Sequence, residues 1–224
     1  MINLGFDVVR STVSNYLHRF FPDHGEALRK KRNNWRRLFC MCREGVACMD
    51  MFSKFDILGR QIFFIFVLDH ERRKVLGCHA TLYPSAVWAE NVIKDVYADR
   101  PYPRHMITDN DPIFRYGVHR LLEKVLKINH VRTAKGCPWQ NGVAERMVRT
   151  FKDEVIRHIP LFGVAHASRI IREYAEYYNK YRPHLTLGGD SPCGRPIDLP
   201  PAANSRLKRI ACCCGLQSHY RWAS

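Results

Sequence analysis

The chain has no apolar run long enough to cross a bilayer. Its longest, QIFFIFVLD at residues 61–69, is less than half of the roughly 20 residues a membrane helix needs. The opening MINLGFDVVR lacks the apolar stretch of a secretory signal. No repeat recurs along the sequence, which excludes a solenoid or propeller. Acidic residues are scarce: 21 Asp and Glu stand against 36 Lys and Arg, for a formal net charge of +15. Cysteines number nine, an odd count, and with no export signal they predict a reducing cytoplasm and mostly free thiols. Hydrophobic residues make up 46% and aromatics 12%, enough for a packed core and against wholesale disorder.

The basic excess is uneven. Residues 1–46 carry 9 Lys and Arg against 4 Asp and Glu, residues 47–145 carry 14 against 11, and residues 146–224 carry 13 against 6. A balanced middle between two basic ends suits a polyanionic partner such as nucleic acid. A generally basic surface is the plain alternative.

Periodicity gives the element order. RSTVSNYLHRFF at residues 10–21 reads as a short helix, with Ser11 as its cap. A basic stretch follows that includes Arg29, Lys30, Lys31, Arg32, Arg36 and Arg37, read as a linker. VACMDMFSKF, QIFFIFVLD and KVLGCHAT predict three strands in succession. PSAVWAENVIKDVYAD predicts a helix, RHMIT a fourth strand, FRYGVHRLLEKVLKI a helix and NHVRT a fifth strand. AKGCPWQNG is a loop by composition. NGVAERMVRTFKDEVIRHI predicts one long helix that Asn141 can cap. On it Val143, Met147, Phe151 and Val155 step by four along one face, and Glu145, Arg149 and Lys152 lie along another. ASRIIREYAEYYNKYR predicts a last helix. Beyond it the chain reads as an irregular tail that holds a small strand pair. Three strands, then alternating helices and strands, then helices predict an α/β fold with a mixed five-stranded sheet flanked by helices.

Three carboxylates stand out. Asp50 interrupts a strand that otherwise reads as buried, where an unpaired carboxylate is costly. Asp109 sits where the strand HMIT stops, and Glu145 lies on the polar side of a helix. Between Asp50 and Asp109 are 58 residues, and between Asp109 and Glu145 there are 35. Taken singly, Asp109 fits a turn and Glu145 fits a solvated helix face paired with Arg149. Asp69 also ends a strand and is read as structural.

Together with MDMF, LDHERRKVLG, ITDNDPIF, CPWQNGVAERMVRTFKDE and YYNKYRPHLTL, the trio resembles the integrase core of DDE transposases and retroviral-type integrases, above all insertion-sequence transposases. The resemblance covers residues 46–187. It implies an RNase H-like fold, with Asp50, Asp109 and Glu145 as catalytic residues and ligands of two Mg²⁺ ions, for which Mn²⁺ would substitute. It also implies that Asn141, Arg146, Arg149 and Lys152 lie toward DNA, with Gly142 completing the motif around the glutamate. The expected activity is metal-dependent cleavage of double-stranded DNA at transposon ends, then strand transfer into target DNA, by a homo-oligomer and without a membrane. Relatives often place Gly after Asn110, where this chain has Asp111.

The resemblance divides the chain into a partial helix-turn-helix remnant at 1–22, a basic linker at 23–45, a catalytic core at 46–187 and a tail at 188–224. The short amino-terminal part raises the alternative of a non-catalytic DNA-binding remnant. A zinc module built from His18, His24, Cys40 and Cys42 has poor ligand spacing. So has one from Cys212, Cys213, Cys214 and His219; packing is the expected role of these cysteines.

Overall fold

The computed structural model describes residues 44–134, 138–201 and 205–223, together with Asn15 and Arg19. By its contacts the chain divides into two units, Met1–Arg43 and Glu44–Ser224, and the second is the one described below. The helix and basic linker expected before residue 44, and the His18, His24, Cys40 and Cys42 group, lie outside the described residues.

Three strands come first, as expected: β1 (Val46–Phe55), β2 (Gln61–Asp69) and β3 (Val75–Thr81). The β1–β2 turn is set by Asp56. One of its carboxylate oxygens accepts the backbone N–H groups of Leu58 and Arg60 at 3.0 and 2.9 Å, and the other meets the Arg60 guanidinium. Helix α1 (Ala86–Val96) starts at Ser85, whose hydroxyl accepts the Trp88 N–H at 3.1 Å. Then come β4 (His105–Thr108), a short helix α2 (Gly117–Arg120) widened into a π turn at Leu121–Val125, and β5 (Asn129–Arg132). Helix α3 (Gly142–Phe151) also runs on as a π turn at Lys152–Ile156, and α4 (Val164–Lys180) follows. The expected strand pair closes the chain as β6 (Leu207–Cys212) and β7 (Gln217–Trp222), paired antiparallel.

The five strands order as β3-β2-β1-β4-β5, with β1 central. The first three are antiparallel neighbours, while β4 and β5 run parallel to β1. Both faces are covered. Ala47, Met49, Ile65 and Val67 point to a core shared with Ala89, Val92, Ile93 and Val96 of α1. The alternate residues point the other way. There Phe52, Phe64 and Phe66 meet Phe151 of α3 at ring centroid distances of 5.4–6.1 Å, and Phe151 meets Tyr174 of α4 at 5.0 Å. A strand covered on both sides should read as a nearly unbroken apolar run, and QIFFIFVLD does.

Two expectations need correction in detail. The helix expected at residues 141–159 is not α-helical throughout. A step of four overshoots a 3.6-residue turn, so a straight α-helix would swing its later apolar residues off the sheet. The π turn, closed by Arg157 N–H on Lys152 C=O at 3.0 Å, takes back that drift and keeps Phe151, Val155 and Ile156 all buried. Val143 falls off this face and is only half-buried. The last helix starts at Val164, earlier than its apolar pattern indicated.

Helix α4 is tied to the sheet by polar bonds as well as by rings. The Asn179 amide donates to Val75 C=O and accepts from Val75 N–H, both at 2.8 Å, and so pairs with the edge of β3 like a strand residue. Arg182 forks onto Glu154 at 2.6–3.1 Å, and Tyr174 donates to the same carboxylate at 2.7 Å. This joins α4 to the end of α3. Among the described residues six cysteines occur, all free thiols, and no helix is long and apolar enough to cross a membrane.

Candidate active site

Asp50 lies on the aromatic side of β1, opposite Phe66 across the antiparallel pair. The parallel pair sets Val46, Ala47 and Cys48 against His105, Met106 and Ile107. Continuing that register by two residues lays Asp109 beside Asp50, on strands about 4.8 Å apart. The topology thus brings together two carboxylates separated by 58 residues of sequence.

The turn after Asp109 answers for its crowded acids. Asp111 N–H donates to Asp109 Oδ1 at 3.1 Å, and Asp111 Oδ1 accepts Ile113 N–H at 2.9 Å, so Asp111 starts the Pro112–Phe114 turn. The Asn110 amide donates to Thr133 C=O, holding the ends of β4 and β5 together. Asp69 likewise shapes a turn, accepting Arg72 N–H at 2.8 Å.

Glu145 arrives on α3. That helix is anchored to β1 by Asn141, whose side-chain amide donates to Met49 C=O at 3.2 Å, one residue from Asp50. Asn141 was expected to cap α3, and its side chain makes no such bond. It occupies the cap position and is 3% exposed. Its amide turns into the sheet because an unpaired β1 carbonyl there would otherwise be buried.

The three carboxylates feel one another. Burial first, and then the charges of Asp109 and Glu145, push the Asp50 carboxyl up to about 7, against the Met51 N–H it accepts and the Lys152 ammonium. Burial also raises Asp109, with Asp111 adding to the rise and the Asp111 N–H opposing it. Glu145 is raised by burial and by Asp109, with Arg149 opposing. Lys152 sits 4.8 Å above the Phe52 ring, a cation–π perch that holds its charge near Asp50. Arg146 and Arg149 are exposed on α3.

Among the described residues, no group of three or more His, Cys, Asp or Glu is arranged to hold a metal ion. The donor chemistry nevertheless fits a hard divalent cation. The three side chains offer oxygen ligands only, and none forms an ion pair within 4 Å among the described residues. Their mutual repulsion is the penalty a cation would remove.

Sequence reasoning missed a network beneath Asp109. The buried Thr108 hydroxyl donates to Asp109 C=O at 3.0 Å and lies 2.9 Å from His130 Nε2. His130 Nδ1 lies 3.1 Å from His119 Nδ1. Burial, then His119 and Arg132, lower His130 to about 4, so the ring is neutral and serves as a hydrogen-bonding strut. No spacing rule joins residues 108, 119 and 130; only the alternation in NHVRT marks His130 as inward.

Parts of the chain are similar to known proteins. Residues 126–192 match the model of the integrase core domain family. An uncharacterized 39.2 kDa protein of insertion element IS476 from Xanthomonas euvesicatoria is 29% identical over 160 residues, covering 69% of this chain and 44% of that protein. Transposase InsD for insertion element IS2D, from Escherichia coli (strain K12), is 33% identical over 90 residues, covering 40% of this chain and 30% of that protein. Over these stretches the chain is similar to insertion-element proteins, a transposase among them. It spans less than half the length of these curated relatives.

Solved structures carry the same fold. The HTLV-2 integrase catalytic core domain, solved in complex with magnesium, matches at TM-score 0.53 and 14% identity, over 66% of this chain and 93% of that one. The catalytic domain of Mos1 mariner transposase matches at 0.54 and 11%, over 66% and 79%. At such identities the likeness speaks for the fold alone: an RNase H-like sheet with flanking helices.

Proposed function

We propose that this protein cleaves DNA strands and joins them to target DNA in a divalent-metal-dependent reaction, with Asp50, Asp109 and Glu145 as the metal-holding residues. The observation that carries this reading is the pairing of β1 with β4, which continues toward Asp50 and Asp109, together with the anchoring of α3, the helix of Glu145, to β1 one residue from Asp50. Mg²⁺ is the expected ion and Mn²⁺ a substitute. Two such ions, bound there, would supply Lewis acidity for in-line displacement at a phosphodiester.

The chain's own residues do the rest. The β1–β4 register, continued by two residues, would set Asp109, just past the end of β4, beside Asp50 on β1. Asn141 holds the start of α3 against β1, which sets where Glu145 reaches in. Lys152 sets a positive charge beside Asp50, and Arg149 sets one beside Glu145, where the phosphates of bound DNA would meet them. The magnesium in the HTLV-2 integrase core domain supports the choice of ion. Transposon ends and target DNA as substrates, an oligomer on DNA, and the division of the chain into a DNA-reading segment, linker, core and tail all belong to this proposal.

The test is nicking and strand transfer on labelled oligonucleotides in Mg²⁺ or Mn²⁺, comparing wild type with Asp109→Asn. Metal-dependent products that Asp109→Asn abolishes are expected. Binding without cleavage by both proteins would refute catalysis and leave a DNA-binding remnant.

A further inference from the structure

The segment Arg182-Pro183-His184-Leu185-Thr186 has no part in the carboxylate site, yet it builds a cavity of its own. It lines a half-open cleft of about 240 Å³ with Arg73, Arg146, Thr150 and other residues. No Asp or Glu lines that cleft. His184 is 7% exposed, packs edge-on against Tyr178 at 4.7 Å, and its backbone N–H donates to Asp190 C=O at 3.0 Å. Its Nε2 is buried with no hydrogen-bond partner. Arg182 uses Nε and Nη2 on Glu154, so Nη1 remains for another acceptor. Arg146 is exposed at the cleft. Burial, then Arg182 and Arg73, lower His184 to about 4. The ring is therefore neutral at pH 7 and keeps one N–H, and the buried Nε2 of this cleft-lining side chain has no hydrogen-bond partner within the protein.

We propose that this cleft is a second DNA contact, a seat for one backbone phosphate, with Arg146 and Arg182 supplying charge and His184 Nε2–H donating a hydrogen bond. The inference rests on the reading of the chain as a DNA-acting protein and extends it to a site apart from the carboxylates. A phosphodiester matches the chemistry: a single anionic group with oxygens for the arginines and the imidazole to share. DNA is favoured over a small free anion by position. The cleft is lined from α3 by Val143, Arg146, Met147 and Thr150, a face turned away from the one that carries Glu145, so it lies across the helix from Glu145, about one helix diameter, 10–12 Å, away. Phosphates along one strand are set 3.4 Å of helix rise apart. A duplex held at the carboxylates would therefore bring a phosphate to the cleft three or four nucleotides away.

The test is equilibrium binding of a fluorescent duplex to the full chain in EDTA, from 50 to 200 mM salt. Thermal melts would check the folding of each variant. Arg146→Gln should weaken binding about fivefold and lower the slope of log K against log salt by about 0.9, the loss of one phosphate contact. His184→Phe keeps the ring on Tyr178 and removes no charge. It should weaken binding about threefold with the slope unchanged, as loss of one hydrogen bond would. Thr186→Glu, at an exposed position on the cleft, should weaken binding even if His184→Phe does not fold. Lys94→Gln, exposed on α1 across the sheet, should change neither quantity. Equal losses for Lys94→Gln and Arg146→Gln would overturn the cleft in favour of general electrostatics. So would stabilisation by inorganic phosphate that Arg146→Gln removes while DNA binding stays intact. Nicking by wild type, with Arg146→Gln unchanged in affinity and slope, overturns the cleft alone. Binding that depends on the cleft without any nicking overturns catalysis alone.

Discussion

Asp50→Asn should make the metal-free protein more stable, by an amount that grows with pH. Asp50 is largely buried, and its carboxyl is raised from 3.8 to about 7 by burial and by its acidic neighbours. Below the unfolded value the group is protonated in both states and costs nothing. Between the two values the folded state holds a proton that the unfolded state has released, so stability falls as pH rises. Above about 7 both states are ionised and the full penalty is present. Each tenfold difference in proton affinity between the folded and unfolded chain is worth about 1.4 kcal/mol. The penalty is therefore roughly 2 kcal/mol at pH 5 and roughly 4 kcal/mol at pH 8, as an upper bound. Asn keeps an oxygen to accept the Met51 N–H and carries no charge. For a chain of this size 1 kcal/mol is worth about 2–4 °C, so the variant should melt above wild type at pH 8 in EDTA by up to about 8–16 °C. The gap should narrow by about half at pH 5. Saturating Mg²⁺ should raise the wild-type melting temperature and leave that of the variant nearly unchanged. Scanning fluorimetry across this pH range reads all three effects. A variant that melts at or below wild type at pH 8, or a gap indifferent to pH, would refute the coupling of the carboxylates.

Other expectations follow from the packing. Phe151→Ala should cost about 3–5 kcal/mol in urea unfolding, because this ring alone joins Phe52, Phe64 and Phe66 to Tyr174. Gly77→Ala should cost about 1–3 kcal/mol, since its Cβ would come 2.2 Å from a methyl of Val96 and force α1 away from β3. Asn141→Ala should lower stability by about 1 kcal/mol yet slow metal-dependent nicking by tenfold or more, as Glu145 loses its anchor to Met49. Comparing melting curves with nicking rates separates the two effects.

Much of this architecture could be read from the residues. The buried-looking run of β1 and the unbroken apolar run of β2 act through local rules of burial and hydrogen bonding, and both strands formed where their patterns lay. Asp50 and Asp109 could be nominated because an acid in a buried strand, or at its exit, is expensive without a purpose, whereas Glu145 was nominated only by the motif around it. Other features depended on partners distant along the chain. Asn141 looks like a cap from its neighbours, but the open carbonyl of Met49 drew its amide into the sheet. The π turns at the ends of α2 and α3 answer the shape of the sheet beneath, which no window of sequence contains. Thr108, His119 and His130 became a network only when β4 and β5 paired. The cleft at His184 needed α3, α4 and the loop before β3 to meet. Local periodicity fixes an element because the backbone repeats; a site made from several elements waits on how they pack.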